Sequence, residues 1–329
     1  MTIIYVTSDV EGAGKTAFST TLAKILSDKG QNVSLVRLSS SDKVNSENLE
    51  NNIGIFKNLP FEIIHSDEKS AVKLIKTLDK KNDVAIIDGY SGLNNKLSIE
   101  LTKILNPKII LVSQYNPNLN ILQLTSPAKD IFGDSLIGLI INKRTKHMGN
   151  HVAKSLIPSI ESTGIQALGV LPEDRRMLGL TVDQLKNHLN GIYTGFLNDS
   201  MKYYLIEHFL IGGLILDWGV HYFNTRANKA VISRGDRPDI QMSALSTPTS
   251  CLIATSGITP LEYVQYEAEQ EEVPIIVVEK DTLSVAADLE TIYQKCKFDH
   301  MLKLERFTQL VHANIDLQTI LKILINNVN

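Results

Sequence analysis

Residues 5–26 read YVTSDVEGAGKTAFSTTLAKIL, and this stretch decides the fold because a glycine-rich turn in it joins a strand-like run to a helix-like run. The turn, DVEGAGKT, follows the phosphate-loop pattern G-x-x-x-x-G-K-[ST], except that Asp9 occupies the first glycine position. Anions bind at helix N-termini, where free backbone N–H groups and the helix dipole meet. The strand before the turn and the helix after it therefore predict a phosphate-binding loop. The alternative is a tight turn whose lysine begins a helix by chance.

The chemistry of such a loop assigns a role to each of its residues. Backbone N–H groups surround the phosphates, the Lys15 ammonium reaches the β and γ phosphates, and the Thr16 hydroxyl binds magnesium. A second apolar run, DVAIIDG, ends in Asp88, at the place of an acidic residue that holds magnesium or its water; taken alone, Asp88 is also a common turn residue. We predict ATP and Mg²⁺ as cofactors, Lys15 as a catalytic residue, and Thr16 and Asp88 as metal ligands. The predicted nucleotide contacts in the loop are Gly12, Ala13, Gly14, Lys15 and Thr16.

Six short apolar runs alternate with helix-patterned segments up to about residue 200. Continuous apolar runs of this kind are typical of parallel strands that are covered on both faces. The pattern predicts an α/β fold with a doubly wound, mostly parallel sheet of the P-loop NTPase type. The polar stretch Ser39–Asn52 is predicted to form a loop beside the carboxyl edge of that sheet. The six runs are TIIYVT, NVSLVRL, DVAIIDG, KIILVSQ, SLIGLIIN and QALGVLP.

The same pattern restarts on a smaller scale after Asn198. The strand-like runs KAVIS, CLIAT and PIIVVE are each followed by a helix signal, and DLQTILKILINN predicts a terminal amphipathic helix. We therefore predict two domains, residues 1–200 and residues 201–329. The second is a smaller α/β unit with a C-terminal helix.

Polar residues follow each of the three strand-like runs of the second domain. If the three strands are parallel, their loops emerge at one edge of the sheet, where helix N-termini favour an anion. These residues are candidates for contact with a small anionic effector or with another subunit; the alternative is that they cap helices and pair with neighbouring charges. His221, in DWGVHYF, stands among apolar residues and is predicted to be a core or interface histidine. The candidates are Asp236, Arg237, Ser256, Gly257, Asp281 and Thr282.

Composition excludes several classes of protein. The net charge is −3 and the chain has no basic run with interleaved aromatic residues, which argues against a nucleic-acid partner. Cys251 and Cys296 are too few for a disulfide framework, so a reducing compartment fits best. The apolar run FLIGGLIL is too short to span a bilayer, and the N-terminus lacks the features of a secretory leader. We predict a cytoplasmic protein with no membrane partner.

Four segments of the first 200 residues resemble the dethiobiotin-synthetase-like P-loop proteins, and more closely the version at the N-terminus of long phosphate acetyltransferases. They are VTSDVEGAGKT, VAIIDGYSGL, GLIINK and LGVLPEDRRMLGLTVDQL. The resemblance implies that Asn142 and the Pro172–Glu173 loop border the nucleotide base; the alternative for Asn142 is an ordinary turn residue. It also implies that Arg37 stands where dethiobiotin synthetase has a substrate-binding lysine, which makes Arg37 a second candidate catalytic residue. Glu11 and Ser8 depart from the loop of that enzyme.

The second domain resembles the DRTGG domain over roughly residues 205–310, through KAVISRGDRPDIQMSAL, CLIATSGITPLEYV and VPIIVVEKDTLSVAADLETI. This module accompanies the same P-loop domain in phosphate acetyltransferases and occurs in regulated pyrophosphatases. The resemblance implies a regulatory or oligomerisation role, and hence a homo-oligomer formed through the second domain. No counterpart of the acetyl-transferring domain follows it in these 329 residues.

Three functions follow from these features. The first is a regulatory or assembly protein, related to the N-terminal half of phosphate acetyltransferase, that binds ATP and magnesium. The second is an ATP-dependent ligase of the dethiobiotin-synthetase type, in which Lys15 stabilises the transferred phosphoryl group and Arg37 orients a small carboxylate or amine. The third is an interaction scaffold that has lost nucleotide binding through Asp9 and Glu11. Whether the protein is an enzyme, a P-loop ATPase or a ligase, is left open.

Overall fold

The computed structural model describes residues 1–38, 59–66, 83–118, 120–213 and 216–325, together with residues 70, 72, 73, 75 and 77. The predicted loop Ser39–Asn52 lies outside the described residues. The chain forms two compact units, one made of Met1–Asp174 with Phe298–Asn329 and the other of Arg175–Lys297.

The first unit is built on a seven-stranded parallel sheet with the order β3-β2-β4-β1-β5-β6-β7. The predicted doubly wound fold is confirmed, and all six predicted strands are present. The seventh, β3, escaped prediction because this edge strand has only two apolar residues, Ile63 and Ile64. The strands are β1 (Thr2–Ser8), β2 (Val33–Leu38), β3 (Glu62–Ser66), β4 (Val84–Ser91), β5 (Lys108–Gln114), β6 (Leu136–Arg144) and β7 (Ala167–Pro172).

Helices lie between these strands. The helix that follows the predicted phosphate loop ends at Asp28, just before Gly30, whose φ of +83° is the left-handed conformation common after helix ends. A π-helical turn lies at Val152–Leu156, between two of these helices. The helices are α1 (Lys15–Asp28), α2 (Lys96–Leu105), α3 (Ile121–Phe132), α4 (Gly149–His151) and α5 (Ile157–Ser162).

The second unit is built on a five-stranded sheet with the order β11-β12-β13-β14-β9, in which β11 to β14 are parallel and β9 is an antiparallel edge. A short antiparallel pair, β8 with β10, completes its strands. The parallel arrangement predicted for KAVIS, CLIAT and PIIVVE is present. The strands are β8 (Leu180–Thr181), β9 (Ile192–Thr194), β10 (Leu205–Ile206), β11 (His208–Ile211), β12 (Lys229–Arg234), β13 (Thr249–Thr255) and β14 (Ile275–Val277).

Two hydrophobic layers cover the faces of this second sheet. The helices α7 (Leu216–Phe223), α8 (Pro238–Leu245) and α9 (Glu262–Gln270) bury apolar side chains against one face. The helices α6 (Val182–Leu189) and α10 (Thr282–Ile292) pack on the other face. Because three consecutive crossovers run in the same direction along the sheet, α7, α8 and α9 share a face, as right-handed connections require.

Beyond Lys297 the chain returns to the first unit. The helix α11 (Met301–Asn314) packs against α1 and β7, and α12 (Leu317–Ile325) follows it against β7. The return buries Leu304, Phe307 and Val311. A backbone bridge between Gly169 and Ile315 ties the segment to the edge strand β7.

The predicted division at residue 200 falls inside the second unit. Residues before it form β8, α6 and β9, and these belong to the second unit because β9 pairs with β14 and α6 shares its core. The predicted second domain also contained the C-terminal helices, which pack in the first unit. Within the part of the chain that the structure describes, no helix has the length and apolar character needed to cross a membrane.

Candidate functional site

The loop between β1 and α1 depends on two glycines in the left-handed region. Gly12 has φ +77° and Gly14 has φ +99°, which other residues adopt only with strain. At Gly14 an added Cβ would also overlap the Asn142 side-chain nitrogen. The helix α1 starts at Lys15, and no side chain in the described residues caps its N-terminus. Its first-turn N–H groups therefore face the loop as a site for an anion.

Asn142, at the carboxyl end of β6, holds the loop through a side-chain hydrogen bond. Its Nδ2 donates to the Ala13 carbonyl at 2.9 Å, and its Oδ1 accepts from the Lys143 N–H at 2.8 Å. The side chain is buried, and both ends of the amide are engaged within the protein. The structure thus gives Asn142 a bracing role in the loop, while its contact with a base stays a prediction.

Lys15, Thr16 and Asp88 come together at the carboxyl edge of the sheet, as predicted. The Thr16 hydroxyl donates to Asp88 Oδ2 at 2.7 Å, and Lys15 Nζ lies 4.0 Å from Asp88 Oδ1. Asp88 is only 6% exposed, and its Oδ1 accepts no hydrogen bond from the described residues. A buried carboxylate oxygen without a donor, beside a hydroxyl, matches the hard oxygen ligands that Mg²⁺ prefers.

Arg37, on β2, lies directly beside Asp88 in the sheet register, and its side chain is 14% exposed. Its Nη2 donates to Thr20 Oγ1 at 2.9 Å, and its Nε lies 3.9 Å from Asp88 Oδ2. Burial lowers the pKa of Arg37, while the carboxylates of Asp88 and Asp299 raise it. The guanidinium is thereby engaged within the protein as a counter-charge to Asp88.

Asp9, which replaces the first glycine of the loop motif, is held by the neighbouring strand. Ser113, at the end of β5, donates its hydroxyl to Asp9 Oδ2 at 2.8 Å. The other carboxylate oxygen is buried and accepts no hydrogen bond within the described ranges. A glycine could not make this contact with Ser113, so the departure from the motif adds a link between the loop and β5.

Sequence reasoning missed Tyr5 as a support of this site. Its hydroxyl pairs with the Ser98 hydroxyl at 2.7 Å and accepts from the Tyr90 N–H at 3.2 Å. Burial raises the pKa of Tyr5 to about 12. The ring packs on Gly89, where an added Cβ would overlap it. The Asp88-Gly89 pair at the end of an apolar run was the available signal, because a glycine inside a strand marks a close approach by another group.

The Pro172–Glu173 segment lies at the same edge of the sheet as Asn142. Pro172 is opposite Arg144 in the β6–β7 register, and the Glu173 N–H donates to the Arg144 carbonyl at 2.9 Å. Lys143, next to Asn142, has φ +60°, and burial lowers its pKa. The carboxyl edge is where ligands bind in open α/β sheets. Contact of this segment with a base stays a prediction.

In the second unit, the charged candidates at the carboxyl edge of the sheet have local partners. Asp236 pairs with Arg234 through two hydrogen bonds, at 3.0 and 2.6 Å. Arg237 pairs with Asp239, at 2.9 and 2.7 Å, and this contact lowers the pKa of Asp239. Local charge pairing, the alternative that the sequence left open, is thus present at these positions.

The remaining candidates join the loops after β13 and β14. Asp281 caps α10 by accepting from the Ser284 N–H at 2.8 Å, and the Thr282 and Thr255 hydroxyls are 2.9 Å apart. Ser256 and Gly257 have positive φ values, and their N–H groups donate to the carbonyls of Lys280 and Val278. The structure brings these four residues to one edge, as predicted, and gives Asp281 a capping role.

His221 differs from its prediction as a core residue. It is exposed on α7, with its ring centroid 6.3 Å from that of Trp218. Its apolar neighbours Trp218 and Val220 are exposed as well, so the apolar letters around His221 did not imply burial. The interface alternative stays a prediction.

Two family models match this chain. The CobQ/CobB/MinD/ParA nucleotide binding domain matches residues 4–180, and the DRTGG domain matches residues 184–292. These matches support the coarser part of the predicted resemblance, a P-loop domain followed by a DRTGG domain. The relationship to dethiobiotin synthetase and to phosphate acetyltransferase stays a prediction.

Solved structures similar to this chain include proteins of both kinds. The cell-division protein MinD of Aquifex aeolicus is 17% identical, with 54% of this chain and 85% of that chain covered and a TM-score of 0.41. MinD of Pyrococcus horikoshii, complexed with Mg-ADP, is 19% identical, with 54% and 83% covered and a TM-score of 0.37. The CBS and DRTGG domains of a Clostridium perfringens pyrophosphatase, complexed with diadenosine tetraphosphate, are 14% identical, with 50% and 77% covered and a TM-score of 0.33.

Proposed function

Because this chain belongs to the CobQ/CobB/MinD/ParA nucleotide-binding family, we propose that its first unit binds ATP with Mg²⁺ and that the protein is a nucleotide-controlled regulatory or assembly protein. The observation that carries the proposal is the contact of Thr16 with the buried Asp88, beside Lys15 and the uncapped N-terminus of α1. The place where a triphosphate with its cation would lie is then surrounded by a hydroxyl, a carboxylate oxygen, an ammonium and free N–H groups.

Each group has a distinct task in this proposal. The N–H groups of the loop from Gly12 to Gly14 surround the phosphates, and Lys15 compensates their charge. Thr16 and Asp88 hold Mg²⁺ directly or through water. Binding of the cation then replaces the hydrogen bond between the Thr16 hydroxyl and the Asp88 carboxylate. The cation supplies positive charge to the β and γ phosphates when it is bound.

The placement of Arg37 favours the regulatory function over the ligase function. A ligase of the predicted type would use Arg37 to orient a substrate, yet the guanidinium donates to Thr20 and lies beside Asp88. In the regulatory proposal Arg37 holds the Asp88 carboxylate in position for the metal ion. The DRTGG domain then provides assembly contacts or responds to a small anionic effector at the edge that carries Ser256 and Thr282.

Calorimetric titration with ATP, in the presence and absence of Mg²⁺, tests the proposal. We expect the wild type to bind Mg-ATP, and Asp88→Asn to weaken binding at least tenfold in Mg²⁺ while leaving the Mg²⁺-free affinity nearly unchanged. The matched control is Asp83→Asn, because Asp83 lies next to the amino end of the same strand and accepts from the Asn32 N–H. Absence of binding by the wild type, or equal affinity of Asp88→Asn and wild type in Mg²⁺, would contradict it.

Turnover measurements separate the regulatory function from the ligase. We expect slow hydrolysis of ATP that depends on Lys15 and is not increased more than a few-fold by any one small carboxylate or amine. A large increase caused by one such compound, lost in Arg37→Ala, would favour the ligase. A wild type that binds no nucleotide would favour the scaffold.

A further inference from the structure

Arg37 and Asp88 are neighbours in the sheet that do not form the hydrogen-bonded ion pair open to them. The Arg37 Nε lies 3.9 Å from Asp88 Oδ2, which is beyond hydrogen-bond length. The Arg37 Nε and the Asp88 Oδ1 are both buried, and neither takes part in a hydrogen bond among the described residues. A buried donor and a buried acceptor on adjacent side chains are thus left unused, at a cost that native structures normally avoid.

Two other arginine–aspartate pairs of this chain show the contact that is missing here. Arg234 donates its Nε and Nη2 to the two carboxylate oxygens of Asp236, at 3.0 and 2.6 Å. Arg237 and Asp239 form the same two-bond contact, at 2.9 and 2.7 Å. Bidentate contacts of this kind are the strong geometry for an arginine and a carboxylate. Other contacts must therefore hold the guanidinium at the candidate site away from its neighbour.

Thr20, one turn after Thr16 on α1, occupies the nitrogen that a bidentate contact would need. The Arg37 Nη2 donates to Thr20 Oγ1 at 2.9 Å. The Thr20 hydroxyl in turn donates to the Thr16 carbonyl at 2.7 Å, and Thr20 is fully buried, so it is fixed in the helix. While Nη2 is bound to Thr20, Arg37 cannot donate Nε and Nη2 together to Asp88.

Asp299 supplies a second carboxylate to the same guanidinium. It is 5% exposed and lies just before α11, the helix that packs against α1. Burial lowers the pKa of Arg37, and the charges of Asp88 and Asp299 both oppose this change, so both carboxylates act on the guanidinium. Lys303, in the first turn of α11, has its Nζ 3.9 Å from Asp299 Oδ1. An arginine that two carboxylates attract is held less closely by either of them.

We propose that Thr20 and Asp299 are positioning residues for the Mg²⁺ site, which hold Arg37 back so that Asp88 Oδ1 stays open to the cation. Without them, Arg37 would form the bidentate contact, and the cation would have to displace a charge-assisted hydrogen bond in order to bind. The inference rests on the proposed function, because it concerns the cation of the ATP site. Since the inserted unit ends at Lys297, Asp299 also makes this site depend on the return of the chain to the first unit.

Crystal structures without nucleotide test the geometry. In Thr20→Val and in Asp299→Asn, we expect the Arg37 Nε to move to about 2.8 Å from an Asp88 oxygen. The two substitutions lie on different elements, so either one decides the matter if the other variant does not fold. Arg37 in its wild-type position in the folded variants would overturn the proposal.

Two variants serve as matched controls. Thr125→Val, on α3, removes another buried threonine hydroxyl that donates to the carbonyl four residues earlier. Glu305→Gln removes the same charge as Asp299→Asn, but from an exposed position on α11. Both controls should keep the wild-type position of Arg37 and the wild-type affinity for Mg-ATP.

Calorimetric titration with ATP, in the presence and absence of Mg²⁺, tests the effect on the site. Thr20→Val and Asp299→Asn should each weaken binding about tenfold in Mg²⁺, the effect of one competing charge-assisted hydrogen bond. The affinity without Mg²⁺ should not fall. Thr20→Ser, which keeps the hydroxyl, should bind like the wild type. An equal loss with and without Mg²⁺ would mean that the two residues are merely structural, and would overturn the proposal.

Double substitutions show whether both residues act through Arg37. In an Arg37→Gln background, Thr20→Val and Asp299→Asn should no longer change the affinity for Mg-ATP, because the side chain that they hold back is gone. The same tenfold loss in that background would overturn the proposal.

The results separate this inference from the proposed function. A wild type that binds Mg-ATP, together with test variants that bind it equally well, would overturn the inference alone. A wild type that binds no nucleotide would overturn the proposed function, and with it the role of Thr20 and Asp299 at a Mg²⁺ site.

Discussion

Gly14 determines the geometry of the phosphate loop because two independent constraints meet at it. Its φ of +99° excludes an unstrained side chain, and the space where a Cβ would stand is filled by the Asn142 amide. The Nδ2 of that amide also donates a hydrogen bond to the Ala13 carbonyl. The Asn142 side chain therefore links the phosphate loop to the end of β6.

The substitution Gly14→Ala should abolish Mg-ATP binding. An alanine in the left-handed region costs about 1–2 kcal/mol of conformational free energy. Its Cβ would also clash with Asn142, so the loop must move. The control is Gly30→Ala, which has φ +83° but nothing within 4 Å of its added Cβ, and which should lose only stability. Calorimetry and thermal unfolding separate the two effects.

A double substitution identifies the clash as the cause. If the Asn142 side chain is what excludes the Cβ, Gly14→Ala with Asn142→Ala should recover part of the binding that Gly14→Ala loses. An equal or greater loss in the double variant would show that the backbone strain alone decides the outcome.

Because of Lys229, we expect the free energy of unfolding to change with pH in the alkaline range. This buried lysine donates to Thr247 Oγ1 at 2.9 Å and to the Pro248 carbonyl at 2.7 Å, and burial lowers its pKa to about 8. The unfolded chain holds the proton more tightly, with a pKa near 10.4, so the free energy of unfolding rises between about pH 8 and pH 10. Below pH 8 Lys229 is charged in the folded protein, and burial of this charge lowers the free energy of unfolding.

Replacing Lys229 removes this pH dependence. The wild type should gain about 1–3 kcal/mol relative to Lys229→Met between pH 7 and pH 10, measured by denaturant unfolding at both pH values. Lys280→Met is the control, because Lys280 is exposed and pairs with Asp288 at the surface. A constant difference between wild type and Lys229→Met would mean that Lys229 stays charged in the folded protein.

At the scale of secondary structure, the helices differ in whether a side chain caps the N-terminus. A side chain caps the N-terminus of α2, α3, α6 and α10, whereas α1 begins without one in the described part of the chain. A cap satisfies the orphan N–H groups that an anion would otherwise use. The helices α8 and α9 also begin without a side-chain cap. What is particular to α1 is that its uncapped N-terminus follows the glycine loop and lies beside Lys15, Thr16 and Asp88. The capping residues are Asn95, Asn120, Thr181 and Asp281.

The capping role of Asp281 can be separated from a ligand role. Asp281→Ala should lower the melting temperature by a few degrees, while Asp281→Asn, which keeps the acceptor, should change it little. The hydrogen bond from Ser284 lowers the pKa of Asp281. Its charge-dependent contribution is therefore present above about pH 4 and is lost as the pH falls through the lowered pKa. An unchanged melting temperature for Asp281→Ala would leave the carboxylate available for an effector.

At the scale of the whole molecule, the second unit is inserted into the first. The chain leaves the first unit after Asp174 and re-enters it at Phe298. Arg306 on α11 pairs with Asp174 at 2.7 Å, so a helix that follows the re-entry contacts the residue at which the chain leaves. The P-loop domain is thus complete only when the last helices have returned to α1 and β7.

Removal of the inserted unit should leave a folded nucleotide-binding domain. A chain in which a short Gly-Ser linker replaces Arg175–Lys297 should unfold cooperatively and bind Mg-ATP. A chain of residues 1–200 should be unstable, because it lacks the buried Leu304, Phe307, Leu310 and Val311. At about 1.5–3 kcal/mol for each side chain, their loss is comparable with the stability of a whole domain. Equal stability of the two chains, measured by thermal unfolding, would contradict this account.

The sequence was most informative where neighbours in the chain set the structure. The apolar runs predicted the strands of the first sheet, and the Gly12–Thr16 spacing placed the loop between β1 and α1. The strand β3 was missed because an edge strand needs few apolar residues. Tyr5 was missed as a support of the strand end that carries Asp88, because its contacts with Ser98 and Tyr90 span more than eighty residues.

By itself, the sequence determined the α/β class, the phosphate loop, and the identity of the groups Lys15, Thr16 and Asp88, since each follows from local periodicity or from a motif within a few residues. Only the tertiary structure decided that Arg37 is engaged by Asp88, that Asn142 braces the loop, and that Phe298–Asn329 belongs to the first unit. The physical reason is that these features depend on which strands become neighbours and on which surface buries the last helices. Contacts across the sheet leave no periodic signal along the chain.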